Sequence, residues 1–269
     1  MISNVMERTV ADVLREALDS ADDSLLVIAP DAVTVNALIE ELDDNTPNVR
    51  LLGAPDTLKD VMRNFLTAGR AADHIEAGRL EIRVDTNESN TLLLTADSLV
   101  SVVRAGDRVA GLTTDDEEFI QRANDRFQNA WEAAEIYTLR TPSLARIRET
   151  LKTQLGASTA EDFDAALSSF ETADGIEDPI DEVMLALLIA AKNDALLYDI
   201  SKWGEDVGIA SKATFSRTKT QLEESGLIDT EKVPIDVGRP RLRLKLADGR
   251  PKDATAEELV SIARSILDS

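Results

Sequence analysis

Twice near its start this chain runs through a short, mostly apolar stretch that stops at Pro-Asp: Ser24–Ala29 (SLLVIA) before Pro30-Asp31, and Val49–Ala54 (VRLLGA) before Pro55-Asp56. A strand buried on both faces reads as such a run, and Pro followed by Asp reads as a helix start. Pro fits the first helical turn, where no hydrogen bond is lost with its missing N–H, and Asp offers oxygens to the free amides there. Repeated strand-then-helix units confine this part of the chain to a βαβ sheet. Before the first unit, Val10, Val13, Leu14, Ala17 and Leu18 recur at helical spacing within Val5–Leu18. Helices are predicted over Ala32–Leu42, from Pro55 to about Ala77, and from Asp115 to about Leu139. Strands are predicted over Leu80–Val84, Thr91–Thr95, Leu99–Arg104 and Arg108–Thr113, the last two joined by Ala105-Gly106-Asp107. Strands so closely spaced fold back on one another and add an antiparallel portion. The expectation is an α/β domain with a mixed sheet over residues 1–140, then a mainly helical domain.

Thr141-Pro142-Ser143 breaks the pattern, and residues 141–178 read as a helical linker. Leu144, Ile147, Leu151 and Leu155 line one helix, a second runs from about Ala160 to Thr172, and Ala173–Pro179 is the most linker-like stretch. Residues 179–250 then carry an ordered series of signals. Asp181–Asn193 is a helix of buried-type residues, Asp199–Val207 a short second helix, and Gly208-Ile209-Ala210 a turn. Ser211 can cap a third helix, Lys212–Glu224, which Gly226 ends as a left-handed residue would. Phe215, Thr218 and Leu222 share one face of it, and Gly204 gives the close approach that two crossing helices need. Leu227–Ile235 and Arg241–Leu246 read as a hairpin with Asp236–Pro240 at its tip. Helix, turn, capped helix and hairpin in this order describe a winged helix-turn-helix. Residues 251–269 hold a last amphipathic helix, Ala254–Leu267, which either covers the winged core or pairs with its copy.

Charge shows where such a unit would act. Asp and Glu number 51 against 29 Lys and Arg, a net of −22, and the cations divide into 9 Lys and 20 Arg. Few lysines among many carboxylates resemble the proteins of salt-loving cytoplasms, where molar salt screens crowded charge; a halophilic source is expected. Yet Ser201–Lys245 holds 9 basic and 7 acidic residues, which leaves 20 basic and 44 acidic elsewhere. The third helix presents Ser211, Lys212, Thr214, Ser216, Arg217 and Thr220 without a carboxylate among them. Hydroxyls and long cations suit base edges and phosphate oxygens, and helix N-terminal amides suit a phosphate. Arg239 near the hairpin tip suits the minor groove, and Arg241 and Arg243 suit phosphates, or else salt bridges to acidic neighbours. Double-stranded DNA is thus the expected partner, read by a homodimer over two half-sites. The alternative is a protein-interaction module that docks on the transcription machinery without touching an operator.

Other chemistries find little support. The chain has no cysteine and a single histidine, His74, so thiolate or histidine-rich metal sites are excluded. No catalytic triad, phosphate-cradling glycine loop or cofactor motif stands out, and no apolar run approaches a membrane span. The opening MISNVMERTVADVL lacks the basic end and apolar stretch of a signal peptide, so a cytoplasmic, non-enzymatic protein is expected. Asp31 and Asp56 stand at strand ends, where α/β sheets bind ligands, although ordinary helix starts look the same. With Lys59, Arg63, Arg83 and Arg104 they form the candidate site for a small anionic effector such as a sugar phosphate, unless those cations are counter-ions.

The runs LLVIAPDAVTVNALIEEL, LLGAPDTLKDVM and RVAGLTTDDEEF, ahead of LLYDISKWGEDVGIASKATFSRTKTQLEESGLIDTEKVPIDVGRPRLRLKL, resemble the haloarchaeal TbsP regulators over nearly the whole chain. These are companions of the TrmB family of sugar-responsive archaeal transcription factors. The resemblance implies control of central carbon genes, gluconeogenic ones included, and a first domain similar to the phospholipase-D fold. Enzymes of that fold use repeated His-x-Lys pairs with a following Asp. Here Glu76 stands where the lysine after His74 would be, so the resemblance implies a binding scaffold rather than a catalyst.

Overall fold

The computed structural model describes residues 5–7, 9–86, 90–106, 108–169, 179–234, 240–247 and 254–268. They divide into two compact units, Met1–Leu139 and Arg140–Ser269.

The first unit opens with strand β1 (Val5–Glu7), helix α1 (Val10–Ser20), β2 (Ser24–Ile28), α2 (Ala32–Glu41) and β3 (Asn48–Gly53). Helices α3 (Pro55–Val61) and α4 (Phe65–Glu76) lead to β4 (Leu80–Val84), β5 (Leu92–Leu94), β6 (Leu99–Ala105) and β7 (Arg108–Thr114). Helix α5 (Glu117–Ala133) and β8 (Glu135–Ile136) close it. All eight strands join one sheet in the order β1-β7-β6-β5-β2-β3-β4-β8. The pairs β2–β3 and β3–β4 are parallel and the others antiparallel, the mixed sheet expected. Alternation along β2 explains why its run is apolar throughout. Leu25 and Val27 enter a core with Leu14, Leu38, Leu58 and Ala68 of α1–α4. Leu26 and Ile28 enter another with Ile120, Phe127 and Trp131 of α5.

Three helix boundaries differ from expectation. Val5–Glu7 is an edge strand paired with β7, because Thr9 caps α1: its hydroxyl accepts from the Asp12 amide, and the Asp12 carboxylate accepts from the Thr9 amide. The helix expected to run from Pro55 to Ala77 breaks at Asn64, whose side-chain oxygen accepts from the Thr67 amide at 2.9 Å and starts α4. The long helix ends at Ala133, and Glu135–Ile136 pairs with β4 across Val84 and Arg83. In each case local caps or a vacant strand edge override a helical spacing that continues past them.

The second unit comprises α6 (Leu144–Leu155), α7 (Ala157–Ser168), α8 (Glu182–Lys192), α9 (Leu197–Val207), α10 (Lys212–Glu224), β9 (Ile228–Val233), β10 (Arg241–Leu246) and α11 (Ala256–Leu267). Helix α8 is its centre: every residue from Val183 to Ala191 is buried, which accounts for a helix apolar all round. The segment expected as a linker supplies α6 and α7 to this unit; α6 packs on α9 and α7 on α8. Trp203 of α9 is fully buried, donates its indole N–H to the Thr150 hydroxyl of α6 at 2.9 Å, and meets Phe163 of α7 edge-on. Helix α11 lies on α7 and α8 with Leu259, Val260 and Ala263 fully buried, so this face covers the unit's own core. Ala173–Pro179 falls mostly outside the described residues.

Helices α9 and α10 cross at Gly204. A Cβ there would stand 2.3 Å from the ring of Phe215, which is itself fully buried. The turn between them is closed by Gly208 at φ +97°, and the Gly204 carbonyl accepts from the Gly208 and Ile209 amides. Strand β10 pairs with β9 from Arg241↔Val233 to Leu246↔Ile228, and the Leu244 amide also donates to the Ala195 carbonyl ahead of α9. Helix and hairpin are thus tied into one body. Because the Phe215 ring has nowhere to go, Gly204→Ala should destabilise this unit by about 1–3 kcal/mol, the ordinary cost of overpacking a core. Denaturant unfolding followed by tryptophan fluorescence checks this.

Candidate nucleic-acid interface

Helix α10 has two faces set by its sequence. Phe215, Thr218 and Leu222 are buried, and Lys212, Ser216, Arg217 and Thr220 are exposed. The Ser211 hydroxyl caps the helix, accepting from the Thr214 amide at 3.2 Å, and lies 3.0 Å from the Thr214 hydroxyl. Thr220 donates its hydroxyl to the Ser216 carbonyl. So Ser211 and Thr214 serve the helix start, and Thr220 is turned onto its own backbone. Ser216 and Arg217 project from the helix midpoint. The Arg217 side chain makes no hydrogen bond or ion pair among the described residues.

Several other cations of this unit have partners, although Lys232 of β9 is exposed without an ion pair among the described residues. Lys212 Nζ lies 2.6 Å from Glu205 of α9, and the second oxygen of that carboxylate lies 3.4 Å from the Lys212 amide. The two groups hold each other charged: the Glu205 carboxyl is pulled below its usual range by its bonds to Lys212, and the Lys212 ammonium is pushed up by Glu205. Arg241 stacks 4.4 Å over the half-exposed ring of Tyr198 and pairs with Asp199 at 3.6 Å. Arg243 and Lys245 share Glu231, at 4.0 and 2.5 Å. Lys219 pairs with Glu223 and Lys202 with Asp206, each within one helix. Arg239 lies outside the described residues. Of the two alternatives left open for Arg241 and Arg243, the salt bridges are formed. The signal that would have located Glu205 is its place in the second helix, one residue beyond the Gly204 that brings α9 onto α10.

Residues 2–142 match the family description "Transcriptional regulator TbsP-like, N-terminal", and residues 143–264 match "Transcriptional regulator TbsP-like, C-terminal HTH domain". The chain belongs to the TbsP-like transcriptional regulators. The α9–turn–α10 arrangement is the helix-turn-helix of this TbsP-like chain, and the two matches meet within a few residues of the boundary between the compact units. No curated protein matches the chain. Among solved structures it is similar to TrmBL2, described as an archaeal chromatin protein with a novel mode of DNA binding. That likeness has 18% identity and a TM-score of 0.38, over 50% of this chain and 53% of that one. The chain therefore spans about half the length of that TrmBL2 chain. It is also similar to NucT from Helicobacter pylori, with 13% identity and a TM-score of 0.37, over 51% of this chain and all of that one.

In the first unit of this TbsP-like regulator, the expected effector residues do not converge. Asp31 caps α2: one carboxylate oxygen accepts from the Thr34 amide at 2.9 Å, the Thr34 hydroxyl at 2.7 Å and Arg104 at 2.9 Å. Asp56 lies in the first turn of α3, with Lys59 exposed on the same helix and Arg63 paired to Asp60. Arg83 sits elsewhere, held by Glu81, by the Trp131 carbonyl at 2.9 Å, and by the Trp131 ring at 4.7 Å. Only Asp31 and Arg104 are brought together, as an ion pair. A cleft of about 560 Å³ opens instead beside Asp97, Asp115, Glu117 and Asp125, whose carboxylates repel an anion.

His74 is buried and accepts from Arg79 Nε at 3.3 Å; burial, then the Arg79 charge, lowers its pKa and favours the neutral ring. No group of residues suited to a metal ion occurs among the described residues, and no described helix is long and apolar enough to cross a membrane. The cap makes Asp31 structural in the first instance. Asp31→Ala should cost the first unit about 1 kcal/mol, and Asp31→Asn, which keeps the capping oxygen, much less. Thermal melts of the two variants side by side check this.

Proposed function

We propose that this regulator binds double-stranded DNA through the exposed face of α10, entering the major groove, while the β9–β10 hairpin meets the flanking backbone or minor groove. The carrying observation is Arg217. In a chain with 51 carboxylates to 29 cations, a guanidinium without a partner among the described residues, at the middle of the exposed helix face, is well placed for an external acceptor. Arginine reaches guanine edges in two-point fashion. In this reading Ser216 and Arg217 read bases, Ser211 and Thr214 have one O–H between them to donate to a phosphate oxygen, and Thr220 donates to a phosphate only by giving up its bond to the Ser216 carbonyl. Lys212, Arg241 and Arg243 contact the backbone after exchanging carboxylates for phosphates, and Arg239 contacts the backbone or the minor groove.

The finer reading is of a homodimer on two half-sites, in the cytoplasm of a halophilic archaeon, acting on genes of central carbon metabolism. The acid-rich, lysine-poor composition supports the halophile, and the resemblance to TbsP regulators supports the gene class. A small anionic metabolite bound to the first unit would bias the affinity for DNA; its binding would have to open the Asp31–Arg104 pair.

The test is selection of bound duplexes from a random pool by the full-length chain, then titration of the winning sequence with wild type and Arg217→Ala. Loss of a base-reading arginine should weaken binding about tenfold to a hundredfold and relax the preference at one position. Equal affinity of a folded Arg217→Ala variant would reject the α10 reading. It would favour a winged helix that docks on other proteins.

A further inference from the structure

The DNA-binding reading has Lys212 exchange a carboxylate for a phosphate, and gives that carboxylate, Glu205 at the α9–α10 junction, no role of its own. Lys212 is the first residue of α10, so its backbone amide is one of the helix amides that have no carbonyl to bond. An ammonium beside such an amide, at the positive end of a helix, is a ready receptor for a phosphate oxygen pair. Here the chain's own carboxylate stands on both donors. One oxygen of Glu205 lies 2.6 Å from the Lys212 ammonium and the other 3.4 Å from the Lys212 amide. Glu205 thus takes the position that a backbone phosphate would take.

We infer that Glu205 is a specificity-determining residue: an internal phosphate substitute that raises the threshold for binding DNA by its backbone alone. This rests on the reading that α10 meets DNA. The pair is half-exposed, with side chains 45% and 44% accessible, so it is an exchangeable surface contact and not a buried anchor. A phosphate approaching α10 must displace the carboxylate and then lie near its freed charge. Binding to arbitrary sequence, which has only phosphate contacts to offer, is penalised most. Binding to the correct site regains the loss through base contacts from Ser216 and Arg217.

Asp206 provides an internal control. It is the next residue, carries the same charge, and pairs with Lys202 within α9; its charge is felt at Lys212, but among the described residues it makes no hydrogen bond or ion pair with the start of α10.

The experiment uses the full chain and a short duplex of arbitrary sequence, titrated over a range of salt concentrations. Glu205→Gln should bind this duplex about fivefold to tenfold more tightly than wild type at low salt. Its slope of log affinity against log salt should be steeper by about one, as for one more phosphate contact. The affinity for a selected specific duplex should change less, so the specificity ratio falls. Adding Lys212→Ala to Glu205→Gln should abolish the gain, and Asp206→Asn should give a smaller one. Glu205→Ala, read the same way, covers the case in which the amide itself disturbs the junction, and thermal melts establish that each variant is folded.

No gain in either Glu205 variant, a gain that survives Lys212→Ala, or an equal gain in Asp206→Asn would overturn the inference. Arg217→Ala separates the two readings. If it leaves binding to the specific duplex intact, the DNA-binding surface itself is wrong. If it weakens binding while the Glu205 variants show no gain, only the role of Glu205 fails.

Discussion

The surplus of carboxylates over cations, 51 to 29, governs what most polar groups of this chain do. Helix starts take their share: Asp31, Asp116 and Asp181 cap α2, α5 and α8, and Asp12 and Glu258 complete capping boxes on α1 and α11. A carboxylate at the positive end of a helix is stabilising whatever surrounds it, so an acidic composition costs least there. Cations are drawn into pairs that cross between elements, as Arg15 with Glu41 of α2, Arg79 with Asp44, and Arg148 with Asp164 of α7. Exposed pairs contribute at most about 1 kcal/mol each. They occupy charge more than they hold the fold, and the apolar cores on both sides of the sheet and around α8 carry the stability.

Within that acidic body, one steric contact fixes the geometry of α10. Gly204 lets the Phe215 ring lie directly against the α9 backbone, and the neighbouring Trp203 is locked by Thr150 and Phe163. The depth and rotation of α10 on α9 are therefore decided by apolar packing. The exposed face follows from the helical period: Thr218 and Leu222 return to the side of Phe215, whereas Ser216, Arg217 and Thr220, one, two and five residues past it, turn away from that side and lie outside. The same close crossing carries Glu205, next in sequence to Gly204, to the first turn of α10. Packing thus determines the electrostatics of the junction.

Much of the architecture was legible in the sequence, and the failures share a cause. The runs ending in Pro-Asp gave β2 and β3, and the order of capped helix, Gly turn and alternating hairpin gave α9, α10, β9 and β10. What periodicity could not show was where an element yields to a neighbour distant in sequence. Val5–Glu7 is a strand because β7 leaves an edge to pair, and Glu135–Ile136 because β4 does. At the interface, the cations were visible and their partners were not, since Asp199 meets Arg241 and Glu205 meets Lys212 only after folding. The proposed effector residues failed to converge for the same reason: position at a strand end fixes height along the sheet, but not which helix claims the side chain.

These pairings bear on how so acidic a molecule could meet DNA in concentrated salt. Counterion release then yields little free energy, so phosphate contacts alone bind weakly. A surface on which Lys212, Arg241, Arg243 and Lys245 already face carboxylates gives up little under those conditions, because the electrostatic term it forgoes is small. On the proposed reading it gains discrimination, because a phosphate at Lys212, Arg241 or Arg243 must compete with Glu205, Asp199 or Glu231, while the Arg217 side chain has no such partner among the described residues. Transfer of the same surface to dilute salt reverses the balance: attraction between phosphate and cation strengthens, and so does repulsion from the rest of the body. On the proposed reading, the acid-rich composition and the paired cations are two parts of one solution, in which hydrogen bonding and shape carry the recognition that charge supplies in basic DNA-binding proteins.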